Sequence, residues 1–298
     1  MTENVIIIPT RLEATRLPNK PIKKINNKEM ILHVYEAAKK ANIGEVIVAS
    51  PNQQIYELIT SAKGICVKTR SDHKTGTDRI FEVFDKFLKK KPQTIINLQG
   101  DMPNIDPSAI EMLSNYMSKN LCDIATLGSK FKDNKEIENI NNVKVATKNA
   151  LSGDKFDEAI DFFRDNENIK ERHVYHHIGI YAFTKEALLR YVSLDRTKKE
   201  LDRNLEQLRA LENNMKIHVG LVNSILWLLW CFKNRRKLPH VKNAALAVLL
   251  LNVTVLLELL DFEPNLRIFD FSVLGRLSSL HMLLDIFFAK SNISILFS

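Results

Sequence analysis

The chain has 298 residues, a mass of 34.2 kDa and a formal net charge of +8, and 45% of its residues are hydrophobic. That length suffices for a full α/β core in one large domain or two smaller ones, and the basic balance favours anionic ligands. No aromatic–basic interleaving or zinc-finger spacing accompanies the charge, so nucleic acid is not indicated as a partner. The three cysteines, Cys66, Cys122 and Cys231, are widely spaced and form no CxxC pair. They read as buried thiols in a reducing compartment, not as a disulfide framework or zinc site. The opening MTENVIIIPT lacks the basic and apolar stretches of a signal peptide, and a cytoplasmic location is expected. Apolar runs predict strands at 5–8, 46–49, 65–68, 94–98, 124–127, 143–146, 178–183 and 217–222. Amphipathic spacing predicts helices at 31–40, 54–62, 79–88, 108–119, 185–192 and 205–212. Strands alternating with helices predict a mainly parallel sheet with helices on both faces and a ligand beyond the C-terminal strand ends.

In chain order, the first chemistry lies where strand 5–8 stops at Pro9 and a loop carrying Arg11, Arg16 and Lys20 begins. Three cations within ten residues can hold a triphosphate, with Arg forks gripping oxygens in pairs and Lys acting as a point charge. Taken alone, such a cluster is more often a solvated loop. Next comes Ser71-Asp72-His73-Lys74-Thr75-Gly76-Thr77-Asp78-Arg79. Its Gly-Thr pair opens a helix and offers backbone N–H groups to an anion or base edge, while the plainer reading makes Thr77 the cap of a helix starting near Asp78. Gln99-Gly100-Asp101 follows strand 94–98 directly. A carboxylate at the end of a buried strand, preceded by glycine, is a natural magnesium ligand, though Gly-Asp by itself is more often a turn. Two later stretches, His176-His177-Ile178-Gly179-Ile180-Tyr181 and Leu205-Glu206-Gln207-Leu208-Arg209, hold hydrogen-bonding groups that suit a polyhydroxylated acid. Glu206 and Arg209 read equally as an i,i+3 pair on an exposed helix.

These stretches together resemble the sugar-acid nucleotidyltransferases, and among them the 3-deoxy-manno-octulosonate (KDO) cytidylyltransferases. The loop at 5–21 is similar to the family's opening, 71–79 to its DHxSGT(D/E)R segment, and 99–101 to its QGD motif. The strand at 176–181 is similar to (R/H)HxGIY and the helix at 205–209 to LEQLR, while Arg164 in Asp161-Phe162-Phe163-Arg164 aligns more loosely with YFSR. The resemblance implies a Rossmann-like nucleotidyltransferase fold that moves a cytidylyl group from CTP to KDO, giving CMP-KDO and pyrophosphate for lipopolysaccharide biosynthesis. It implies catalytic roles for Arg11, Arg16, Lys20 and Asp101, with Mg2+ as cofactor on Asp101. It places the nucleotide against Pro9, Arg11, Lys20, His73, Gly76, Thr77 and Gln99. It places the sugar acid against Gln99, Arg164, His177, Tyr181, Glu206 and Gln207. A homodimer is implied as well. A sialic acid cytidylyltransferase is the near alternative, against which the 15–17 loop and the 205–209 helix speak.

The resemblance spans about residues 4–222 and departs from the family in particular places. Ser50-Pro51 stands where relatives have Thr-Asp, Met102 where many have Glu, and 148–157 reads as a short insertion. The family's GVDT-type motif, whose Asp is its second magnesium ligand, does not follow Val222. From 224 the text changes to SILWLLWCF, a basic KNRRK run and an apolar stretch at 244–260. Leucine makes up about a quarter of this tail, far above ordinary usage. The chain therefore divides into a nucleotidyltransferase domain at 1–223 and an atypical tail at 224–298, read as a shifted frame. The rival is a membrane anchor on a degenerate, non-catalytic copy, but the 17 residues at 244–260 include Asn252 and Glu258 and fall short of the roughly 20 a span needs.

Overall fold

Every apolar side chain of β1 (Asn4–Pro9) is buried, because the strand lies inside a sheet packed on both faces. Val5 and Ile7 enter one core, and Ile6 and Ile8 enter the other. The computed structural model describes residues 4–13, 18–119, 121–153, 155–165 and 173–222. After β1 come a single 3-10 turn at Lys20–Ile22 and a hairpin of β2 (Lys24–Ile25) and β3 (Lys28–Glu29). Asn26 and Asn27, with φ of 49° and 64°, make the tight turn between them. Then follow α1 (Met30–Lys40), β4 (Glu45–Ser50), α2 (Gln53–Ser61), β5 (Ile65–Lys68), α3 (Gly76–Lys86), β6 (Thr94–Leu98), α4 (Pro107–Met117) and β7 (Ile124–Ser129). The remainder is α5 (Asn134–Glu138), β8 (Lys144–Thr147), β9 (Asp157–Phe163), β10 (His173–Thr184), α6 (Lys185–Ser193), α7 (Lys198–Arg203), α8 (Gln207–Glu212) and β11 (Ile217–Val222).

The main sheet has the order β5-β4-β1-β6-β10-β7-β11-β9-β8. β5, β4, β1 and β6 pair in parallel, as do β7 and β11, whereas β10 runs against β6 and β7 and β9 against β11 and β8. The sheet is therefore mixed where a mainly parallel one was expected, although all its strands except β9 and β10 point the same way. α1, α2 and α4 cover one face through Ile31, Val34, Ile55, Ile59, Ile110 and Leu113. α3, α6 and α8 cover the other through Ile80, Val83, Phe84, Leu188, Tyr191 and Leu208. Helices on both faces are as predicted.

Each predicted strand and helix is present with shifts at its ends, the largest at β10, which starts at His173, and the structure adds the two-residue strands β2 and β3 as well as β9. Its sequence DEAIDFF carries no continuous apolar run and falls beside the stretch read as an insertion, so periodicity gave no signal. The short polar helices α5 and α7 escaped for the same reason. α3 starts at Gly76, and its cap is Thr75, not Thr77. Thr75 Oγ1 accepts from Asp78 N–H and the Asp78 carboxylate accepts from Thr75 N–H, both at 3.1 Å, a reciprocal capping box. Cys122 is buried and Cys66 half-buried, and burial pushes both thiols up to about 12, which makes them unreactive. Among the described residues no helix is long and apolar enough to cross a membrane. Cys231 and the tail at 224–298 lie outside the described residues.

Arg209 overturns the exposed-pair reading of α8. It is 4% exposed and grips the fully buried Glu200 with Nε at 2.8 Å and Nη2 at 2.7 Å, and its guanidinium lies 4.7 Å over the Tyr191 ring. Arg196 adds a 2.8 Å bond to the same carboxylate. Removing one partner of a buried pair leaves the other charge desolvated, which typically costs about 3–5 kcal/mol. Arg209→Met is expected to lower stability by about 3 kcal/mol, toward the lower end because Arg196 remains, as read by the urea unfolding midpoint.

Candidate active site

β1 and β6 are parallel neighbours with Ile7 opposite Asn97, so their C-terminal ends deliver Pro9-Thr10-Arg11 and Gln99-Gly100-Asp101 to one edge. The two loops touch at Gly100. A Cβ there would sit 2.9 Å from Thr10 Cβ and 3.1 Å from the Pro9 carbonyl oxygen, so only hydrogen fits. Between these loops and the start of α3 lies a cavity of about 290 Å3. Pro9, Arg11, Lys20, His73, Gly76, Gln99 and Asp101 line it, as do Lys74 and Arg79, which the sequence reading left unassigned. Arg79 is almost fully buried, and its Nη1 donates to Thr69 Oγ1 at 2.5 Å and to the Arg70 carbonyl at 2.9 Å.

His73 and Glu82 make a buried pair at 2.6 Å, and Glu82 also accepts the Arg70 N–H at 3.0 Å. Burial alone would push the Glu82 carboxyl up, but these hydrogen bonds and a weaker one from Lys86 hold it at about 2. Lys20 Nζ lies 2.7 Å from Asp101 Oδ2, with the two side chains 37% and 57% exposed. A solvated pair of this kind adds little stability and opens readily for a ligand. Among the described residues no three His, Cys, Asp or Glu side chains cluster as a metal cage. Asp101 offers a single exposed carboxylate, a donor that fits a hard cation taking most of its oxygens from phosphate and water.

A second cavity of about 330 Å3 adjoins the first at Gln99, which lines both. Opposite β7, the step from Leu127 to Thr126 is matched by the step from Ile178 to Tyr181, so Gly179 and Ile180 are extra residues in β10. Two extra residues keep the alternation, and His177, Gly179 and Tyr181 all line the cavity with Glu206 and Gln207. Burial, with His176 adding to it, pushes His177 down to about 3 and leaves it neutral. Burial raises Glu206, which accepts a hydrogen bond from Thr77 Oγ1 at 3.2 Å. Gln207 is 5% exposed, and its side-chain amide has no hydrogen-bond partner among the described residues. An unsatisfied buried amide on a cavity wall is a place for a ligand.

Two sequence assignments change. Thr77 is 1% exposed and lines neither cavity; it accepts from Asn97 Nδ2 at 3.3 Å and donates to Glu206, which makes it part of the wall behind both. Arg164 also lines neither; its Nη1 donates to the Asn141 carbonyl at 2.9 Å, and Asn141 is the residue that reaches the cavity. Arg16 lies outside the described residues. At the 50–51 departure, Asn52 accepts the Leu12 N–H at 3.0 Å and donates to Glu13 at 2.7 Å. A carboxylate thus stands beside the loop after all, and the Asn52 bond lowers its pKa.

The family model described as "Cytidylyltransferase" matches residues 5–217. The chain belongs to the cytidylyltransferase family. It is 41% identical over 224 residues to the 3-deoxy-manno-octulosonate cytidylyltransferase of Bartonella henselae and 40% identical over 225 residues to that of Rhodopseudomonas palustris. Each alignment covers 75% of this chain and 91% of the relative. Among solved structures, CMP:2-keto-3-deoxy-manno-octonic acid synthetase complexed with CTP matches with a TM-score of 0.66 at 33% identity, over 74% of this chain and 90% of that one. A second family model, "Per1-like family", matches residues 209–288. As a cytidylyltransferase the chain is a nucleotidyltransferase, and both cavities lie within the stretch its relatives share.

Two outcomes follow from this geometry. In this cytidylyltransferase, Gly100→Ala is expected to force the two loops apart, weaken CTP binding at least about tenfold by calorimetry and lower stability by about 1–3 kcal/mol. Glu82 has a folded pKa below its unfolded one, so its contribution is complete above about pH 4.5 and is lost as pH falls toward 2. His73→Gln removes one cause of that depression, and acid unfolding followed by circular dichroism is expected to begin at higher pH.

Proposed function

We propose that the chain joins CTP to 3-deoxy-manno-octulosonate, forming CMP-KDO and pyrophosphate. One observation carries the reading: a cation-lined cavity and a cavity rich in hydrogen-bonding side chains meet at Gln99. The first suits a nucleoside triphosphate, with Arg11, Lys20, Lys74 and Arg79 supplying charge. The second suits a polyhydroxylated acid, with His177, Tyr181, Glu206 and Gln207 as partners. The names of the relatives, and the CTP held by the matching solved structure, agree with this pairing. Arg16, placed in the same loop by the sequence, joins the cationic set in this reading.

In the reaction, an oxygen of the sugar acid forms a bond to the α-phosphorus of CTP. The bond from that phosphorus to the bridging oxygen breaks, pyrophosphate leaves with the electron pair, and the hydroxyl proton passes to solvent. The chain's own work is positioning and electrostatic stabilisation. Lys20 releases Asp101 and turns to the phosphates, and Asp101 becomes available to hold Mg2+. Bound there, the cation supplies charge neutralisation on phosphate oxygens and leaving pyrophosphate. The reading extends to a cytoplasmic homodimer, which size-exclusion chromatography and cell fractionation check.

We further propose that residues 224–298 are a shifted frame that replaces the family's last segment, so that the chain as it stands is catalytically impaired. The alignments with the relatives leave about a tenth of each relative unmatched, and no GVDT-type motif follows Val222. The Per1-like match over 209–288 favours a second reading, an appended segment of separate origin. Translating the coding DNA beyond codon 223 in all frames decides between them; a GVDT-like string in another frame supports the slip, and its absence supports the appended segment.

In the full chain, or in residues 1–223 given a family-type ending, CMP-KDO is expected from CTP and KDO with Mg2+. Acceptance of sialic acid without KDO overturns the substrate. Asp101→Asn keeps the turn and loses the charge, and turnover is expected to fall at least about a hundredfold. Lys20→Ala is expected to raise the KM for CTP about tenfold while that for KDO stays within about twofold.

A further inference from the structure

His177 sits at the wall of the sugar-acid cavity with its Nε2 3.0 Å from Thr126 Oγ1. Thr126 is fully buried in β7, and its hydroxyl also lies 2.7 Å from the Ile180 carbonyl oxygen and 3.3 Å from that of Ile178. A threonine hydroxyl has one proton and accepts with its lone pairs. Two carbonyls accept only, and an oxygen pair at 2.7 Å needs a proton between its members. The Thr126 proton is therefore spent on Ile180, and the remaining contact is satisfied only if His177 Nε2 carries a proton and donates to Thr126.

We infer that Thr126 is a positioning residue that fixes His177 as the Nε2–H tautomer, so that Nδ1 presents a lone pair to a hydroxyl of the sugar acid. The inference deepens the sugar-acid reading of this cavity and rests on it. Nδ1 has no hydrogen-bond partner among the described residues, and the ring is held by an edge contact with Phe162 at 5.0 Å between centroids and by Tyr181 at 5.5 Å. Burial keeps the imidazole uncharged, since it lowers the pKa to about 3. A neutral acceptor repels a carboxylate and takes an O–H donor. His177 thus reads a hydroxyl of the acid, and its carboxylate is bound elsewhere.

The bulge in β10 makes this arrangement possible. The two extra residues bring the carbonyls of both Ile178 and Ile180 within reach of the Thr126 hydroxyl, which a regular ladder would keep tied to strand partners. Serine would preserve the arrangement. Valine matches threonine in shape but has neither donor nor acceptor, leaving the Ile180 carbonyl and His177 Nε2 without this partner.

Long-range proton–nitrogen correlation spectra of the full chain, labelled with nitrogen-15 histidine, test the inference before any substrate is added. The His177 signals are assigned by their loss in His177→Gln. Wild type is expected to show the Nε2–H pattern with the shift of a hydrogen-bonded proton, Thr126→Ser to keep it, and Thr126→Val to lose the hydrogen-bonded shift at Nε2. An Nδ1–H pattern in wild type overturns the inference without any variant, so misfolding of Thr126→Val cannot shelter it. An unchanged Nε2 proton shift in a folded Thr126→Val protein overturns it as well. On adding 3-deoxy-manno-octulosonate, the Nδ1 resonance is expected to shift as it accepts a hydroxyl. Silence at Nδ1 with the tautomer as expected would overturn the substrate half together with the sugar-acid reading of the cavity, whereas the wrong tautomer overturns Thr126 alone. In the active form, Thr126→Val is expected to raise the KM for the sugar acid about tenfold, with the KM for CTP within about twofold and Thr126→Ser near wild type. An equal rise for both substrates marks a general structural defect and overturns the positioning role.

Discussion

The hydrogen-bond chain from Asn97 through Thr77 to Glu206 holds the two cavities in one relation. Asn97 lies on β6, Thr77 in the first turn of α3, and Glu206 at the start of α8, the last two 129 positions apart in sequence. All three meet behind Gln99, whose Nε2 donates to Asn97 Oδ1 at 3.2 Å. In a buried setting each such bond is strengthened by its neighbours, and an unpaired member would carry the full desolvation penalty. The wall between the two cavities therefore behaves as one unit. The proposed transfer demands this, because an attacking oxygen and a phosphorus atom must be held close and in line.

The charges of the molecule fall into two kinds. Glu200 with Arg209, and Glu82 with His73, are desolvated and multiply hydrogen-bonded, and they fix the helices that carry site residues. Lys20 with Asp101 is solvated and loosely held at the cavity mouth. Buried pairs are rigid because breaking one strands a charge in a low dielectric, whereas the exposed pair exchanges partners with water and ligand at little cost. The rigid frame and the yielding pair do different work. One sets geometry, and the other is free to open at the cavity mouth.

The first strand illustrates how far a pattern can be read. VIII followed by proline announces a buried strand that ends abruptly, and the structure delivers it with both faces covered. DEAIDFF announces nothing, since its polar residues are satisfied by neighbours that no local pattern records; Asp161, for instance, pairs with Arg203 at 2.7 Å. Arg209 misled in the same way. On a helix wheel it is half of an i,i+3 pair with Glu206, yet its partner is Glu200, on a separate helix that the sequence did not reveal.

Sequence alone determined the elements whose apolar runs or periodicity are local, the basic loop after β1, the carboxylate after β6 and the residues that gather at the second cavity. These are legible because each depends on neighbours a few positions away or on a contiguous motif. Tertiary structure decided the rest. It moved the helix cap from Thr77 to Thr75, turned Thr77 inward to bridge Asn97 and Glu206, set Arg164 behind Asn141, and placed Thr126 beside His177 across two strands 51 positions apart. It also added Arg79 to the cavity beyond β1 and β6 and reversed β10 within the sheet. In every case the deciding partner is distant in the chain, and a hydrogen bond or buried charge is fixed by what the fold brings within about 3 Å of it, which no local pattern encodes.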